Sequence, residues 1–216
     1  MLYLILRLLA ILLSKLFFRF HVTGREFIPR EGGVLIVSNH ASYLDPVILG
    51  VSFPRPLYFF ARADLFKNRL FGWLIRTLHA FPVHVDKLDK DAIEHAIKEL
   101  LVGKTVVVFP EGTRSRTGAL RPGQAGAGFF AVKAKVPVLP VYLQGAYEAL
   151  PPGTKMIRPQ KISIHFGKPL FFHEPPPYFQ DKEGTLKKEG RRQMYYQRIA
   201  DQMMAAIKEI KDLTES

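Results

Sequence analysis

Six short apolar runs restrict the architecture of this chain more than any other feature: GVLIVS (33–38), PLYFFA (56–61), AFPVHV (80–85), KTVVVFP (104–110), VPVLPVYL (136–143) and KISIHF (161–166). A strand with one wet face alternates apolar and polar residues. One that stays apolar along its length is covered on both faces, as in a parallel sheet between helical layers. The intervening segments have helical spacing: DLFKNRLFGWLIRTL from Asp64, DKDAIEHAIKELLVG from Asp89, and GAGFFAVKAK ending at Lys135. Asp64 and Asp89 are the expected N-caps, and Gly103 the expected stop. Strands alternating with such helices predict an α/β fold with a mixed, largely parallel central sheet flanked by helices. With 216 residues, 48% of them hydrophobic, the chain has enough apolar material for one well-buried core.

The two ends differ from this middle. MLYLILRLLAILLSKLFFRF is rich in Leu, Ile and Phe, yet Arg7, Lys15 and Arg19 interrupt it. A bilayer-spanning helix needs about 20 mostly apolar residues, which this segment lacks. At about 100° per residue, Arg7, Ser14, Lys15 and Arg19 share one side of a helix and leucines cover the rest. Residues 1–20 are therefore expected to form an amphipathic helix in the membrane interface, cations among the headgroups. A helix packed on the protein's own core and a signal anchor are the alternatives. Residues 21–216 then form one domain, ending in a docking helix over about 186–213. Its Tyr196, Ile199, Met203, Ile207 and Ile210 recur at steps of three and four. HEPPPYFQDKEG (173–184) reads as a connector. Phe71 and Trp73 read as core or membrane-edge residues, with the lining of an acyl tunnel as the alternative.

Lysine and arginine number 31 against 19 acids, a net charge of +12, which favours polyanionic partners: nucleic acid, anionic lipid or phosphorylated substrates. Cysteine is absent, which excludes disulfides, thiolate metal sites and a cysteine nucleophile, and suits a reducing compartment. The histidines outside the motif below lack the spacing and acidic company of a metal site, so none is expected.

Two stretches carry chemistry. In SNHASYLDP, His40 precedes Asp45 by five residues. The same spacing recurs at His84 and Asp89, so spacing alone is weak. Context separates them: His40 closes an apolar strand, while Asp45 and Pro46 stand where a helix N-cap and first residue would. Strand-to-helix turns are where open α/β sheets place ligands. A capping carboxylate can also accept from imidazole, so capping and catalysis are compatible. The second stretch, VVVFPEGTRSR, runs from a buried strand into Glu111, Gly112, Thr113, Arg114, Ser115 and Arg116. Arginine's planar fork suits phosphate, although a polar surface loop would read the same way. A base with its orienting carboxylate, an anion clamp and no nucleophile beside the histidine suit deprotonation of a hydroxyl on the substrate.

These residues resemble the 1-acylglycerol-3-phosphate acyltransferases. NHASYLD (39–45), AFPVHVDK (80–87), FPEGTRSR (109–116) and VPVLPVYLQG (136–145) are similar to that family's four ordered blocks. The resemblance implies transfer of a fatty acyl group from acyl-CoA or acyl carrier protein to the free hydroxyl of lysophosphatidate, giving phosphatidate. It implies His40 as general base, Asp45 as its partner, and Glu111, Gly112, Thr113 and Arg114 as the phosphoglycerol site. Lys87 joins them, standing where the second block usually has arginine, and Gln124 stands where relatives often carry lysine. Backbone N–H groups after His40 would hold the oxyanion. No metal, resident cofactor or covalent acyl-enzyme is implied. The implied partners are a membrane lysolipid, an acyl donor and the membrane surface rather than nucleic acid, and the implied location is the cytoplasmic face of the cell membrane, peripheral or monotopic. Another lysolipid acceptor, or a non-catalytic basic module binding membrane or nucleic acid, are the competing readings.

Overall fold

The computed structural model describes residues 2–84, 89–154, 156–174 and 188–215; Lys87 and most of the connector lie outside them. Seven strands form one sheet: β1 Phe18–Thr23, β2 Val34–Ser38, β3 Leu57–Arg62, β4 Ala80–Val83, β5 Thr105–Val108, β6 Val138–Gln144 and β7 Gln160–Phe166. The helices are α1 Leu2–Phe17, α2 Asp45–Ser52, α3 Arg69–Thr77, α4 Lys90–Leu101, α5 Ala125–Ala134, the single turn α6 Ala146–Ala149, and α7 Lys188–Glu215.

The strand order is β1-β7-β6-β2-β5-β3-β4. From β6 to β4 all neighbours are parallel; β7 is antiparallel to β6, and β1 is parallel to β7. The expected mixed, largely parallel sheet is therefore present. All five residues of the central strand β2 are buried. Its side chains alternate between two cores: Leu35 and Val37 join residues of α4, α5 and α7, while Val34 and Ile36 join Ile48, Leu49 and Phe53 from the α2 side. The two-residue period of a strand thus splits one apolar run between two layers. The steps β2 to β3 and β3 to β4 cross the sheet in the opposite direction to β4 to β5 and β5 to β6. Right-handed crossovers accordingly place α2 and α3 on one face, α4 and α5 on the other.

The first strand was not among the six expected. FRFHVT carries Arg19 and His21 and shows alternating burial, as an edge strand must with one face in solvent. The N-terminal helix therefore ends at Phe17, not residue 20. Asp64 is not the cap of the following helix: it lies in a short 3₁₀ turn and pairs with Arg62 at 2.9 Å. The cap of α3 is Asn68, whose side chain accepts from the Phe71 N–H. Asp89 caps α4 as expected, accepting from Ala92, and Gly103 follows it with a positive φ of 86°.

Helix α1 lies against α2 with the stripe Tyr3, Leu6, Arg7, Ala10, Ile11 and Ser14 turned inward. The Arg7 guanidinium donates to the carbonyl oxygens of Phe53 and Pro54 at the C-terminal end of α2, where the helix dipole favours a cation. Arg7 is thus a docking residue, contrary to the expectation that it would face outward. The outward side holds Leu4, Ile5, Leu8, Leu9, Leu12, Leu13 and Leu16, all exposed.

Helix α7 buries Ile199, Met203 and Ile207 against α5 and the sheet, three of the five residues that the periodicity picked out; Tyr196 and Ile210 are partly buried beside them. The close approach depends on Gly128: a Cβ there would lie 1.9 Å from the Tyr196 carbonyl oxygen. Gly128→Ala should therefore force the helices apart and cost about 1–3 kcal/mol in denaturant unfolding. Gly126→Ala, in the same helix with nothing within 4 Å of the new Cβ, should be neutral or stabilising by up to about 1 kcal/mol.

Candidate active site

Because β2 and β5 are parallel neighbours, with Val37 opposite Val108, their C-terminal ends deliver residues 39–45 and 109–116 to one edge of the sheet. A backbone bond from Ser115 N–H to the His40 carbonyl, 2.7 Å, ties the two loops together. The fold itself therefore joins the first and third motif blocks.

His40 Nδ1 lies 2.7 Å from Asp45 Oδ2. That oxygen also accepts from the backbone N–H groups of Ala41 and Ser42, each at 2.8 Å. Asp45 is 1% exposed and His40 14%. Nδ1 donating to the carboxylate fixes the tautomer that leaves Nε2 as an acceptor. Phe109 stacks on the imidazole, ring centroids 3.9 Å apart and planes 13° from parallel, so the ring has one orientation. Asp45 is the first residue of α2 rather than its cap, the preceding Leu44 having that place. Of the backbone N–H groups after His40, those of Ala41 and Ser42 are taken by Asp45.

The turn is anchored from beneath. The Asn39 side chain donates to the Leu143 carbonyl (2.9 Å) and accepts from the Leu143 N–H (2.8 Å), bracketing β6 as only a primary amide can. Ser42 Oγ donates to the Leu150 carbonyl at 2.9 Å. The other His–Asp pair is different: Asp89 accepts from the backbone N–H groups of His84 and Ala92, and so acts as a cap.

On the facing loop, Glu111 is buried, and its Oε1 accepts from the His40 backbone N–H at 3.1 Å. The carboxyl thus braces the His40 turn from inside, whereas the family resemblance implied a place for it with the acceptor's phosphoglycerol group. Its Oε2 and Asp45 Oδ1 are both buried without a hydrogen-bond partner among the described residues. Burial pushes the Glu111 carboxyl up to about 7; the His40 N–H and the Arg121 charge favour the ionised form, while the Asp45 charge opposes it. Gly112 has φ 73°, and after it the chain returns to the surface, with Thr113 exposed and Arg114 half-buried. Thr113 Oγ1 accepts from Arg121. The Arg114 guanidinium lies over the ring of Tyr43, 3.6 Å from its centroid. Tyr147 O–H donates to the Arg116 carbonyl and holds the end of the loop.

Asn39, Tyr43, Phe109 and Arg121 gained no role from the sequence. A buried amide at a strand end was a signal for Asn39, and the pairing of β2 with β5 would have supplied Phe109. Nothing local singles out Tyr43 or Arg121. Among the described residues, no three His, Asp or Glu side chains gather as a metal would require.

A histidine held by a buried carboxylate at a sheet edge, facing an arginine-bearing loop and with no side-chain nucleophile hydrogen-bonded to it among the described residues, has the chemistry of a base that takes a proton from a bound hydroxyl, the class of histidine-dependent group-transfer and hydrolytic enzymes. Comparison with known proteins gives that class a family. Residues 19–144 match the model of the acyltransferase family. The 1-acyl-sn-glycerol-3-phosphate acyltransferase of Bacillus subtilis is 31% identical over 150 residues, 69% of this chain and 72% of the relative. That of Streptococcus pneumoniae is 28% identical over 185 residues, 84% of this chain and 66% of the relative. The crystal structure of the 1-acyl-sn-glycerophosphate acyltransferase PlsC from Thermotoga maritima superposes with a TM-score of 0.70 at 27% identity, covering 97% of this chain and 80% of that one. The chain belongs to the acyltransferase family.

The burial of Glu111 has a measurable consequence. Its folded form keeps a proton up to about pH 7, whereas a free glutamate loses it near 4.5. Its contribution to stability is therefore full below the lower value and lost as the pH climbs through the upper one. Unfolding free energies at pH 5 and pH 8 should fall with pH in the wild type, and Glu111→Gln should flatten that slope by on the order of 1–3 kcal/mol.

Proposed function

We propose that this enzyme transfers a fatty acyl group from a thioester, acyl-CoA or acyl carrier protein, to the free hydroxyl of 1-acylglycerol-3-phosphate, giving phosphatidate. The observation that carries the reading is the 2.7 Å bond from His40 Nδ1 to Asp45, which leaves Nε2 as the base. Nε2 takes the acceptor's hydroxyl proton as the oxygen attacks the thioester carbonyl. The tetrahedral intermediate collapses, the C–S bond breaks, and the departing sulfur receives the proton from the imidazolium. Asp45 remains ionised and stabilises the imidazolium while it exists. Thr113 and Arg114 hold the acceptor's phosphate, with Arg116 and Arg121 adding positive potential to the same loop. The reaction uses no resident cofactor. The names of the bacterial relatives support the acceptor; the donor is assigned from the chemistry of acyl transfer alone.

The acceptor is a membrane lipid, and the outward side of α1 suits a bilayer. Its inward stripe contains the polar Tyr3, Arg7 and Ser14, while the exposed side is almost wholly leucine and isoleucine. A soluble amphipathic helix has the reverse arrangement. Leu70, Phe71 and Trp73 of α3 are exposed as well. No helix among the described residues is long and apolar enough to cross a membrane. The protein therefore sits on the membrane surface, with α1 sunk into the acyl boundary.

Two measurements test these readings. His40→Ala should lower kcat for lysophosphatidate acylation by about 10²–10⁴-fold while circular dichroism still shows a folded chain; near-wild-type turnover would overturn the mechanism. Leu8→Ser with Leu12→Ser should weaken sedimentation with anionic vesicles at least about tenfold, each leucine contributing roughly 1.5 kcal/mol or more. Unchanged partitioning would refute the role of α1.

A further inference from the structure

A guanidinium has two recognition surfaces, a flat face and an edge of five N–H donors. In Arg114 the face is occupied and the edge is not. Its central carbon lies 3.6 Å from the centroid of the Tyr43 ring, and no carbonyl or carboxylate among the described residues takes a hydrogen bond from it. An unsupported arginine at the mouth of a site samples many rotamers, and each must be given up when an anion binds. Stacking removes much of that loss in advance.

Tyr43 stands three residues after His40 and two before Asp45, in the same turn that sets the imidazole. Tyr43 is 53% exposed, so no core packing accounts for an aromatic there. Residue 115, next to Arg114, is bonded to the His40 carbonyl. The anion clamp and the base are thus referenced to one rigid segment. That suits an acceptor whose hydroxyl and phosphate sit on the same small backbone and must reach base and clamp together.

We propose that Tyr43 is a positioning residue for Arg114: its ring holds the guanidinium by the face, so that the edge N–H groups meet the phosphate monoester of the acceptor. The inference rests on the lysophosphatidate reading above. Tyr43 does not touch the reacting atoms, so its loss weakens acceptor capture and leaves the chemical step in place.

The test is steady-state acylation of lysophosphatidate, with whichever thioester donor supports wild-type turnover, by the wild type, Tyr43→Phe, Tyr43→Leu, Arg114→Ala and the double variant Tyr43→Leu with Arg114→Ala. Leucine keeps the site apolar and so preserves any contact of residue 43 with lipid. Tyr43→Leu should raise KM for the acceptor about 3–30-fold, the range of a cation–π contact. Its kcat should stay within about twofold, and Tyr43→Phe should restore KM. In the Arg114→Ala background, Tyr43→Leu should add nothing further. An unchanged KM in Tyr43→Leu, a phenylalanine variant that behaves like the leucine one, or an equal effect without Arg114 would overturn the proposal. Failure of the wild type to acylate lysophosphatidate would overturn the acceptor reading instead. Calorimetric binding of glycerol 3-phosphate then judges the clamp separately: weaker binding by Tyr43→Leu than by the wild type supports it, while equal binding, or none by the wild type, overturns it.

Discussion

One oxygen atom organises the active end of this molecule. Asp45 Oδ2 accepts from the His40 ring and from the Ala41 and Ser42 backbone amides. Hydrogen bonds to a charged acceptor contribute roughly 1.5–3 kcal/mol each, more than neutral ones, and here they converge on a buried side chain. The two amide bonds shape the turn, and the imidazole bond sets the tautomer and orientation of the ring. A single side chain therefore fixes both the backbone and the histidine it carries. Glu111 repeats the device from the neighbouring strand, with its carboxyl on the backbone of the same histidine. Two buried acids close to one imidazole are tolerable because one of them favours its neutral form until near neutral pH.

The sheet's interior was legible in the sequence because burial on both faces leaves an unbroken apolar run. GVLIVS and KTVVVFP could hardly be other than central strands, and they adjoin in the sheet. The edge strand FRFHVT escaped because its pattern is weaker and follows directly on a leucine-rich helix. Asp64 misled for a related reason: an acid before a helical pattern is a good cap signal, yet Asn68 lies closer to the first hydrogen-bonded turn and takes the role.

The parts of the candidate site were legible in the sequence and their contacts were not. Residue type and setting singled out His40 and Asp45 and the arginine-bearing loop from residue 110 to 116, and the fold brings the two stretches together. That Asp45 consumes two amides is local to its own turn; that Glu111 points inward and that Phe109 backs the imidazole follow from β2 lying beside β5, which spacing along the chain does not encode. Arg7 shows the same limit. A helical wheel places it on the polar side of α1 but cannot say that the polar side is the one that docks.

That helix passes into the sheet without a joint. Leu2–Phe17 ends where Phe18–Thr23 begins, and each of the six residues of that strand is paired in register with β7. The leucine-rich helix is thus welded to the sheet that carries the candidate site rather than tethered to it. In the proposed membrane-bound state, depth of immersion and tilt of the body become a single mechanical variable, which sets the height of the imidazole above the hydrocarbon. An enzyme so placed would sample its substrate as a rigid float, and a bilayer of different thickness or curvature would act on catalysis by re-levelling the whole body.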